Sequence, residues 1–338
     1  MINASFGSFI INKIIPFIIR SVGVGKGSWK EKKFNIILQS VLMIPFKRFK
    51  GVRRISKNVE KQYYEITGLY IKDNYYEGRL RYSVVDSQIR KVSSIDNMRL
   101  IRQEIKEVLD EFNFNNVLEV GVGELTTLDS IYSNFGPDID CYGVDLSLNR
   151  IYHGLHEYKK RHRSLPTVVK ANAVQLPFPD NSFDLVYTRH TLEQMPTIFK
   201  EALSEIIRVS RKQIILFEPS FELGSMSQKI KMLNSDYVRG MPKFLKKRSD
   251  VQVESINLMK NSANPLNHTA CYKLIPVPSI EIEKNVNQVS LVCPQSKTQL
   301  ERKSGYYYSK ESSRAYPIIE GIPVLDYDYS FCITELDV

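Results

Sequence analysis

Residues 116–128 have the sequence NVLEVGVGELTTL. The apolar residues at its start are typical of a strand that is buried in a parallel sheet. Gly121 and Gly123 break this run, and Thr126 and Thr127 then suit the first turn of a helix. Such a turn brings backbone N–H groups up to a ligand, and a Cβ at either glycine would crowd that ligand. Because ordinary tight turns share this pattern, it indicates a binding site only together with further motifs.

A carboxylate follows the turn at the spacing of a nucleoside-binding site. A second predicted strand, Ile139–Val144, ends at Asp145, which lies 22 positions after Gly123. A carboxylate about 20 residues past a glycine turn lies at the tip of the neighbouring strand, where it accepts the two ribose hydroxyls of a nucleoside. The spacing fits dinucleotides and S-adenosylmethionine alike. The dinucleotide motif needs a third small residue at position 126, so Thr126 argues against NAD.

A third block completes the pattern. Ala171-Asn172-Ala173, Leu176-Pro177-Phe178 and the apolar run after Ser182 precede a polar stretch that ends at His190. Together with the glycine turn and Asp145, this block resembles the class I S-adenosylmethionine-dependent methyltransferases, particularly the branch that acts on small molecules and glycans. The resemblance covers roughly residues 100 to 275, and it implies S-adenosylmethionine as the cofactor.

The resemblance also implies which residues hold the cofactor. They are Glu119, Gly121, Gly123, Asp145, Asn172, Ala173 and Thr188. The first three would hold the methionine end and Asp145 the ribose, and Asn172 would face the adenine amine. The family usually has Asp at this last position. The amide oxygen of Asn172 can still accept a hydrogen bond, but without the charge.

The order of predicted elements determines the fold class. Strands and helices alternate from residue 116 to residue 217, which indicates an α/β protein with a doubly wound, Rossmann-like, mostly parallel sheet. Val251–Leu258 and His268–Leu274 are predicted as the terminal antiparallel strands that are typical of the family. Residues 60–112 are predicted to be helical. Residues 218–250 form an insertion, the natural place for substrate contacts.

The C-terminal residues resemble a second known module. Cys293-Pro294-Gln295-Ser296 precedes YPIIEGIPVL at residues 316–325. This resembles the small zinc-ribbon-related domain that partners, or is fused to, methyltransferases, and it implies a small α+β module for packing and recognition. The second knuckle cysteine is replaced by Ser296. Zinc sites of this type need four ligands, and from residue 284 onwards the chain offers only Cys293 and Cys332 and no His, so we expect no metal.

The positive charge is concentrated at the N-terminus. Residues 1–60 contain 12 Lys and Arg against two Glu, which equals the formal net charge of +10 of the whole chain. We therefore predict an N-terminal extension over residues 1–60, a methyltransferase domain over residues 61–283 and a zinc-less ribbon-like partner domain over residues 284–338.

Two apolar patches lie within this basic extension. Phe9–Ile19 is too short to span a bilayer, and Phe34–Phe46 is followed by five Lys and Arg within eight residues. Such patches are typical of an interfacial anchor on an anionic membrane surface. Pro16 and Pro45 are expected to interrupt any helix there. The alternative is a cap that packs on the catalytic domain.

Three polar residues at predicted strand ends are candidates for catalysis. Methyl transfer from a sulfonium is an in-line displacement in which the protein orients and desolvates the nucleophile, and a hydroxyl acceptor also needs a base. The candidates are His190, Glu193 and Glu218. His190 is the first choice because its ordinary pKa lies near operating pH. Alternatively, His190 only hydrogen-bonds the loop and Glu193 only caps the next helix.

The sequence therefore predicts an enzyme that moves a methyl group from S-adenosylmethionine to an oxygen of a small-molecule, glycan or lipid-linked acceptor. Because the four cysteines are scattered, we expect a protein of a reducing compartment, the cytoplasm. The anchor-like extension predicts a peripheral position on the inner membrane face. An RNA methyltransferase and a non-catalytic, cofactor-binding scaffold stay as alternatives, and a nicotinamide oxidoreductase is disfavoured by Thr126. Nucleic acid is the less favoured partner because the basic extension interleaves aliphatic residues, not stacking aromatic ones.

Overall fold

The computed structural model describes residues 28–49, 78–277 and 289–333. The predicted apolar patch Phe9–Ile19 and both predicted domain boundaries, at 60/61 and 283/284, lie outside these ranges. The three-part division of the chain therefore stays a prediction.

The N-terminal part corrects two expectations. Its elements are α1 (Trp29–Phe49), β1 (Leu80–Val85), β2 (Gln88–Ser93) and α2 (Ser94–Leu109). The helix α1 runs through Pro45, so the expectation that this proline interrupts a helix was wrong. Residues 80–93 form an antiparallel hairpin, so the helical prediction for residues 60–112 holds only for α2 among the residues described.

A seven-stranded sheet lies at the centre of the molecule. Its strands are β3 (Asn116–Val120), β4 (Asp140–Asp145), β5 (Thr167–Lys170), β6 (Phe183–Arg189), β7 (Ser210–Pro219), β8 (Val251–Leu258) and β9 (Thr269–Pro276). The strand order is β5-β4-β3-β6-β7-β9-β8. The first five strands in this order are parallel, and β9 and β8 are antiparallel. This confirms the predicted doubly wound sheet with its antiparallel end.

Helices cover both faces of this sheet. After α2 the chain forms α3 (Thr126–Phe135), α4 (Leu148–Lys159), α5 (Phe199–Val209), α6 (Met226–Ser235) and α7 (Met241–Leu245). On one face α2, α3 and α4 pack on residues such as Val117 and Leu185. On the other face α5 packs on their strand neighbours Leu118 and Val186. Both faces are buried, which explains the continuous apolar runs of these strands.

The C-terminal residues form a small β module. Its strands are β10 (Glu301–Lys303), β11 (Tyr306–Ser309), β12 (Arg314–Ile319), β13 (Ile322–Pro323) and β14 (Phe331–Cys332). A 3₁₀ turn, Tyr327–Tyr329, precedes β14, and within residues 289–333 there is no α-helix, contrary to the α+β expectation. The buried residues Cys293, Tyr316 and Leu325 join the core on the α5 face of the sheet.

The described part of α1 contacts the body of the protein. The helix packs against α6 of the 218–250 insertion, and the Trp29 ring lies 5.4 Å from that of Tyr82, centroid to centroid. In the ranges that the structure describes, no helix has the length and apolar character needed to cross a membrane.

Candidate active site

The glycine turn lies at the carboxyl end of β3. Gly121 has φ +83° and Gly123 has φ +51°, the left-handed region that glycine adopts at little cost. The Gly121 N–H donates to the Val144 carbonyl at 2.7 Å, which ties the turn to β4. A Cβ at Gly121 would lie 2.1 Å from the Thr191 hydroxyl oxygen. The loop after β6 can therefore approach β3 only because residue 121 is glycine.

Asp145 is held in a fixed orientation at the end of β4. Its Oδ2 accepts a hydrogen bond from the Gly123 N–H at 2.8 Å, and its Oδ1 accepts one from the Ser147 N–H at 2.9 Å. Ser147 in turn caps α4, since its hydroxyl accepts from the Arg150 N–H. The carboxylate thus lies between the glycine turn and the start of α4, where it stays available to a ligand in the cavity.

Glu119 is a buried carboxyl at the end of β3. Its residue is 2% exposed, and the Tyr187 hydroxyl donates to its Oε2 at 2.7 Å. Burial raises the pKa of Glu119 to about 8, against the opposing effects of the Tyr187 hydrogen bond and the Arg189 charge. A cation bound beside Glu119 would favour its ionised form.

Asn172 and Ala173 directly follow β5. The side-chain oxygen of Asn172 accepts a hydrogen bond from the Val174 N–H at 3.2 Å. The oxygen keeps a second lone pair, so both the oxygen and the NH₂ group of Asn172 can meet a ligand. Ala173 is buried next to it.

A cavity of about 470 Å³ opens at the carboxyl ends of the parallel strands. Such an edge is where ligands bind in doubly wound sheets, and the volume suits a small ligand. Seven of the sequence-predicted site residues line it, namely Glu119, Gly121, Asp145, Asn172, Ala173, His190 and Glu193. Gly123, Thr188 and Glu218 do not line it.

His190 and Glu193 form a pair on the loop after β6. The His190 Nδ1 lies 3.3 Å from the Glu193 Oε1, and its Nε2 lies 2.9 Å from the Thr269 hydroxyl. Glu193 is further held by the Asn267 amide, which donates to its Oε2 at 2.9 Å. Burial lowers the pKa of His190, but the Glu193 carboxylate outweighs it, so the pKa of His190 is raised above its ordinary value. The Glu193 carboxylate therefore stabilises the protonated form of the ring.

Thr188 and Glu218 form a buried hydrogen-bonded pair, and Glu218 also binds the loop that carries His190. Both are fully buried, and the Thr188 hydroxyl donates to the Glu218 Oε1 at 2.7 Å. The same carboxylate accepts the backbone N–H groups of residues 191, 192 and 193, at 2.9 to 3.1 Å. Glu218 thus lies where it can position the His190 loop, and it has no access to a ligand in the cavity.

Several cavity residues escaped the sequence reasoning. They include Met98, Arg150, Arg189, Tyr237, Asn264, Asn267 and Asp328. Arg189 had a signal, since it ends β6 one residue before His190, and its guanidinium donates to the Thr127 hydroxyl at 3.1 Å. Tyr237 comes from the insertion where substrate contacts were expected. Asp328 comes from the C-terminal module, and nothing in its local sequence connects it with this site.

Three other residues considered in the sequence lie elsewhere. The His268 Nε2 lies 2.7 Å from the Met259 carbonyl, outside the cavity lining. The Cys293 thiol is buried in the C-terminal module, 3.4 Å from the Tyr316 hydroxyl, whereas Cys332 is exposed. Among the described residues, no group of His, Cys, Asp and Glu has the arrangement of a metal site.

A family model described as a methyltransferase domain matches residues 118–217, the span from β3 to β7. These residues are a class I methyltransferase domain. The cofactor of the domain is S-adenosylmethionine. The glycine turn and the carboxylates of Glu119 and Asp145 thus belong to a cofactor-dependent fold, at the strand ends where its ligands bind.

Curated relatives of the methyltransferase domain cover part of the chain. The demethylmenaquinone methyltransferase of Geobacillus kaustophilus is 30% identical over 110 residues, 32% of this chain and 47% of that protein. The protein of the same name from Anoxybacillus flavithermus is 34% identical over 94 residues, 28% of this chain and 39% of that protein. The chain spans about half the length of the curated relatives that it matches.

A solved structure with the same fold carries a different activity in its name. The (4+2)-cyclase SpnF is 15% identical, with a TM-score of 0.50 over 66% of this chain and 96% of that chain. This likeness shows the fold alone. Because one fold hosts several chemistries, the reaction must be argued from the site.

Proposed function

We propose that this chain transfers a methyl group from S-adenosylmethionine to an oxygen atom of a small, lipid-linked acceptor. The observation that carries the proposal is the meeting, in one cavity, of Glu119, Asp145 and the His190–Glu193 pair. The first two lie at the ends of neighbouring strands, and the pair lies at the end of the next strand in the sheet. A cofactor site and a proton-handling site are thereby side by side.

The residues at the strand ends fit this cofactor. The buried carboxyl of Glu119 suits the methionine ammonium, because a bound cation offsets the cost of ionising it. Asp145, oriented by two backbone N–H groups, suits the ribose hydroxyls. The bound sulfonium supplies the electrophilic methyl carbon.

The His190–Glu193 pair would manage the acceptor proton. Glu193 holds the ring at Nδ1, which leaves Nε2 as the atom that accepts a proton once the ring is neutral. An acceptor hydroxyl that reached Nε2 in competition with the Thr269 hydroxyl, which lies 2.9 Å from it, would transfer its proton to that nitrogen as the acceptor oxygen attacks the methyl carbon. Glu218 would keep the loop in place and is a positioning residue, not a base.

Two observations support a lipid-linked acceptor over a glycan or another small molecule. The curated relatives are named for demethylmenaquinone, although each match covers only part of either chain. The cavity lining also combines the apolar Met98, Met195 and Ile198 with polar groups such as Asn264. Such a lining suits a largely apolar acceptor with a few polar atoms.

Labelled-methyl transfer into fractionated cell material tests the proposal. Full-length protein and S-adenosylmethionine labelled in the methyl group are incubated with lipid, polysaccharide, RNA and small-molecule fractions. We expect label in the solvent-extractable lipid fraction. The control is His190→Asn, because Asn tolerates the φ of +53° at this position and removes only the imidazole.

With His190→Asn the label should fall by about 10²–10⁴-fold, the usual contribution of a general base. Label in RNA would replace the proposal with the RNA methyltransferase alternative. Cofactor binding without transfer to any fraction would favour the scaffold alternative.

A further inference from the structure

The C-terminal module docks beside the cofactor end of the sheet. Val324 forms a parallel bridge with Lys170, the last residue of the edge strand β5. The Leu325 N–H donates to the Lys170 carbonyl at 2.8 Å. The module therefore continues the sheet past β5, next to the residues that follow this strand into the cavity.

Lys170 anchors the segment that comes next in the module. Its side chain is 1% exposed and forms a buried ion pair with Asp326. Its ammonium group also lies 3.9 Å from the centroid of the Tyr329 ring. Asp328 thus lies between two residues that both contact the same buried cation, which fixes the position of its backbone.

The 3₁₀ turn places the Asp328 side chain at the cavity. The Asp328 N–H donates to the Asp326 Oδ1 at 3.2 Å, so Asp326 binds the turn with one oxygen and Lys170 with the other. Asp328 lines the cavity together with Asn172 and Ala173. Among the described residues, no hydrogen bond or ion pair involves its carboxylate.

The order of the strands predicts which part of the cofactor lies near the Asp328 carboxylate. Glu119 and Asp145 lie at the ends of β3 and β4, and Asn172 follows β5; these three strands are neighbours in the sheet. If Glu119 holds the methionine end and Asp145 the ribose, the adenine lies at the end of β5. Asn172 offers only an uncharged amide there, and its oxygen already accepts one hydrogen bond from the Val174 N–H, so position 172 supplies no charged acceptor for the 6-amino group of the adenine.

We propose that Asp328 of the C-terminal module accepts a hydrogen bond from the adenine 6-amino group and takes over the role of a carboxylate at position 172. The inference rests on the cofactor placement proposed above. It assigns the module a direct part in cofactor binding, beyond packing.

Calorimetric titration with two ligands tests this role. The first is S-adenosylhomocysteine, and the second is its analogue with an unsubstituted purine base, which lacks the 6-amino group. Both are titrated into the full-length chain, into Asp328→Asn and into the control Glu311→Gln. Glu311 is an exposed carboxylate of the same module and does not line the cavity.

We expect Asp328→Asn to weaken S-adenosylhomocysteine binding by about tenfold, the scale of a hydrogen bond to a charged group, and to leave the analogue unchanged. Glu311→Gln should change neither affinity. Equal loss for both ligands, or no loss for either, would overturn the inference. If the unaltered chain binds neither ligand, the cofactor placement itself is wrong.

Discussion

Gly121 provides a residue-scale test of the site geometry. In Gly121→Ala the new Cβ would meet the Thr191 side chain, and the φ of +83° adds strain. The loop that carries His190 must therefore move, so we expect cofactor affinity to fall by about tenfold or more. Gly136→Ala is the matched control, since its φ of +88° is similar and nothing lies within 4 Å of the methyl group that it would add. If both variants bind the cofactor equally, the close approach has no functional role.

The raised pKa of Glu119 predicts that the protein releases a proton when the cofactor binds. With its pKa raised to about 8, the carboxyl is roughly nine-tenths protonated at pH 7 in the free protein. A bound ammonium group favours the ionised form, so affinity should rise as the pH increases towards 8 and then level off. Calorimetry at pH 7 in two buffers of different ionisation enthalpy measures the proton. Glu119→Gln should remove about one released proton, and an unchanged release would contradict this assignment.

The His190–Glu193 pair predicts a pH profile. Because Glu193 raises the pKa of His190, activity should increase with pH through an inflection above the ordinary histidine value. In Glu193→Gln the carboxylate charge is lost, so the inflection in kcat/KM should move to lower pH. Glu201→Gln, an exposed carboxylate on α5, should leave it in place. An inflection that does not move with Glu193→Gln would exclude His190 as the titrating base.

At the scale of elements, the sequence predicted best where apolar runs are buried. The strands β3 and β4 were predicted to within one residue, because burial on both faces leaves a continuous apolar signature. The hairpin β1–β2 was missed because its two-residue turn is Asp86-Ser87, both at positive φ, and lacks the glycine that usually marks such turns. Contacts with the rest of the protein determine whether such a segment forms a hairpin or a helix.

For the candidate site, the sequence could predict the residues at strand ends but not those whose position depends on contacts between distant segments. Residues at strand ends, such as Asp145, follow from the spacing of motifs along one chain segment. The role of Glu218 does not follow from such spacing, because its carboxylate accepts one hydrogen bond from Thr188 of β6 and three from the loop after β6, and these depend on the register of β6 and β7. The position of Asp328 at the cavity depends on packing between distant parts of the chain, so no local sequence pattern predicts it.

The buried contact between the module and the sheet predicts a change in stability. Lys170→Met leaves the Asp326 carboxylate buried without its cation, which should lower the free energy of unfolding by about 3–5 kcal/mol. The double variant Lys170→Met/Asp326→Asn removes both charges and should recover part of this loss. Urea unfolding measures both, with the exposed Lys243→Met as control. A single-variant loss no larger than that of the control would show that the ion pair does not hold the module in place.

In the whole molecule, α1 and the C-terminal module both contact the part of the chain that contains the seven-stranded sheet. The contact of α1 with α6 supports the cap alternative for residues 29–49 over a free membrane anchor. Truncation of residues 1–49 should therefore lower the melting temperature, because it uncovers the α6 surface. Unchanged melting, combined with lost binding to anionic vesicles at low salt, would favour the anchor instead.

We propose that the ends of β3, β4 and β5 bind S-adenosylmethionine, with Asp145 on the ribose. Calorimetric titration of S-adenosylmethionine into the unaltered chain, Asp145→Ala and the exposed control Asp138→Ala tests it most directly. We predict saturable binding that Asp138→Ala leaves intact and that Asp145→Ala weakens by about 1.5–3 kcal/mol, the scale of a hydrogen bond to a charged group. Equal affinity in all three proteins would contradict the account.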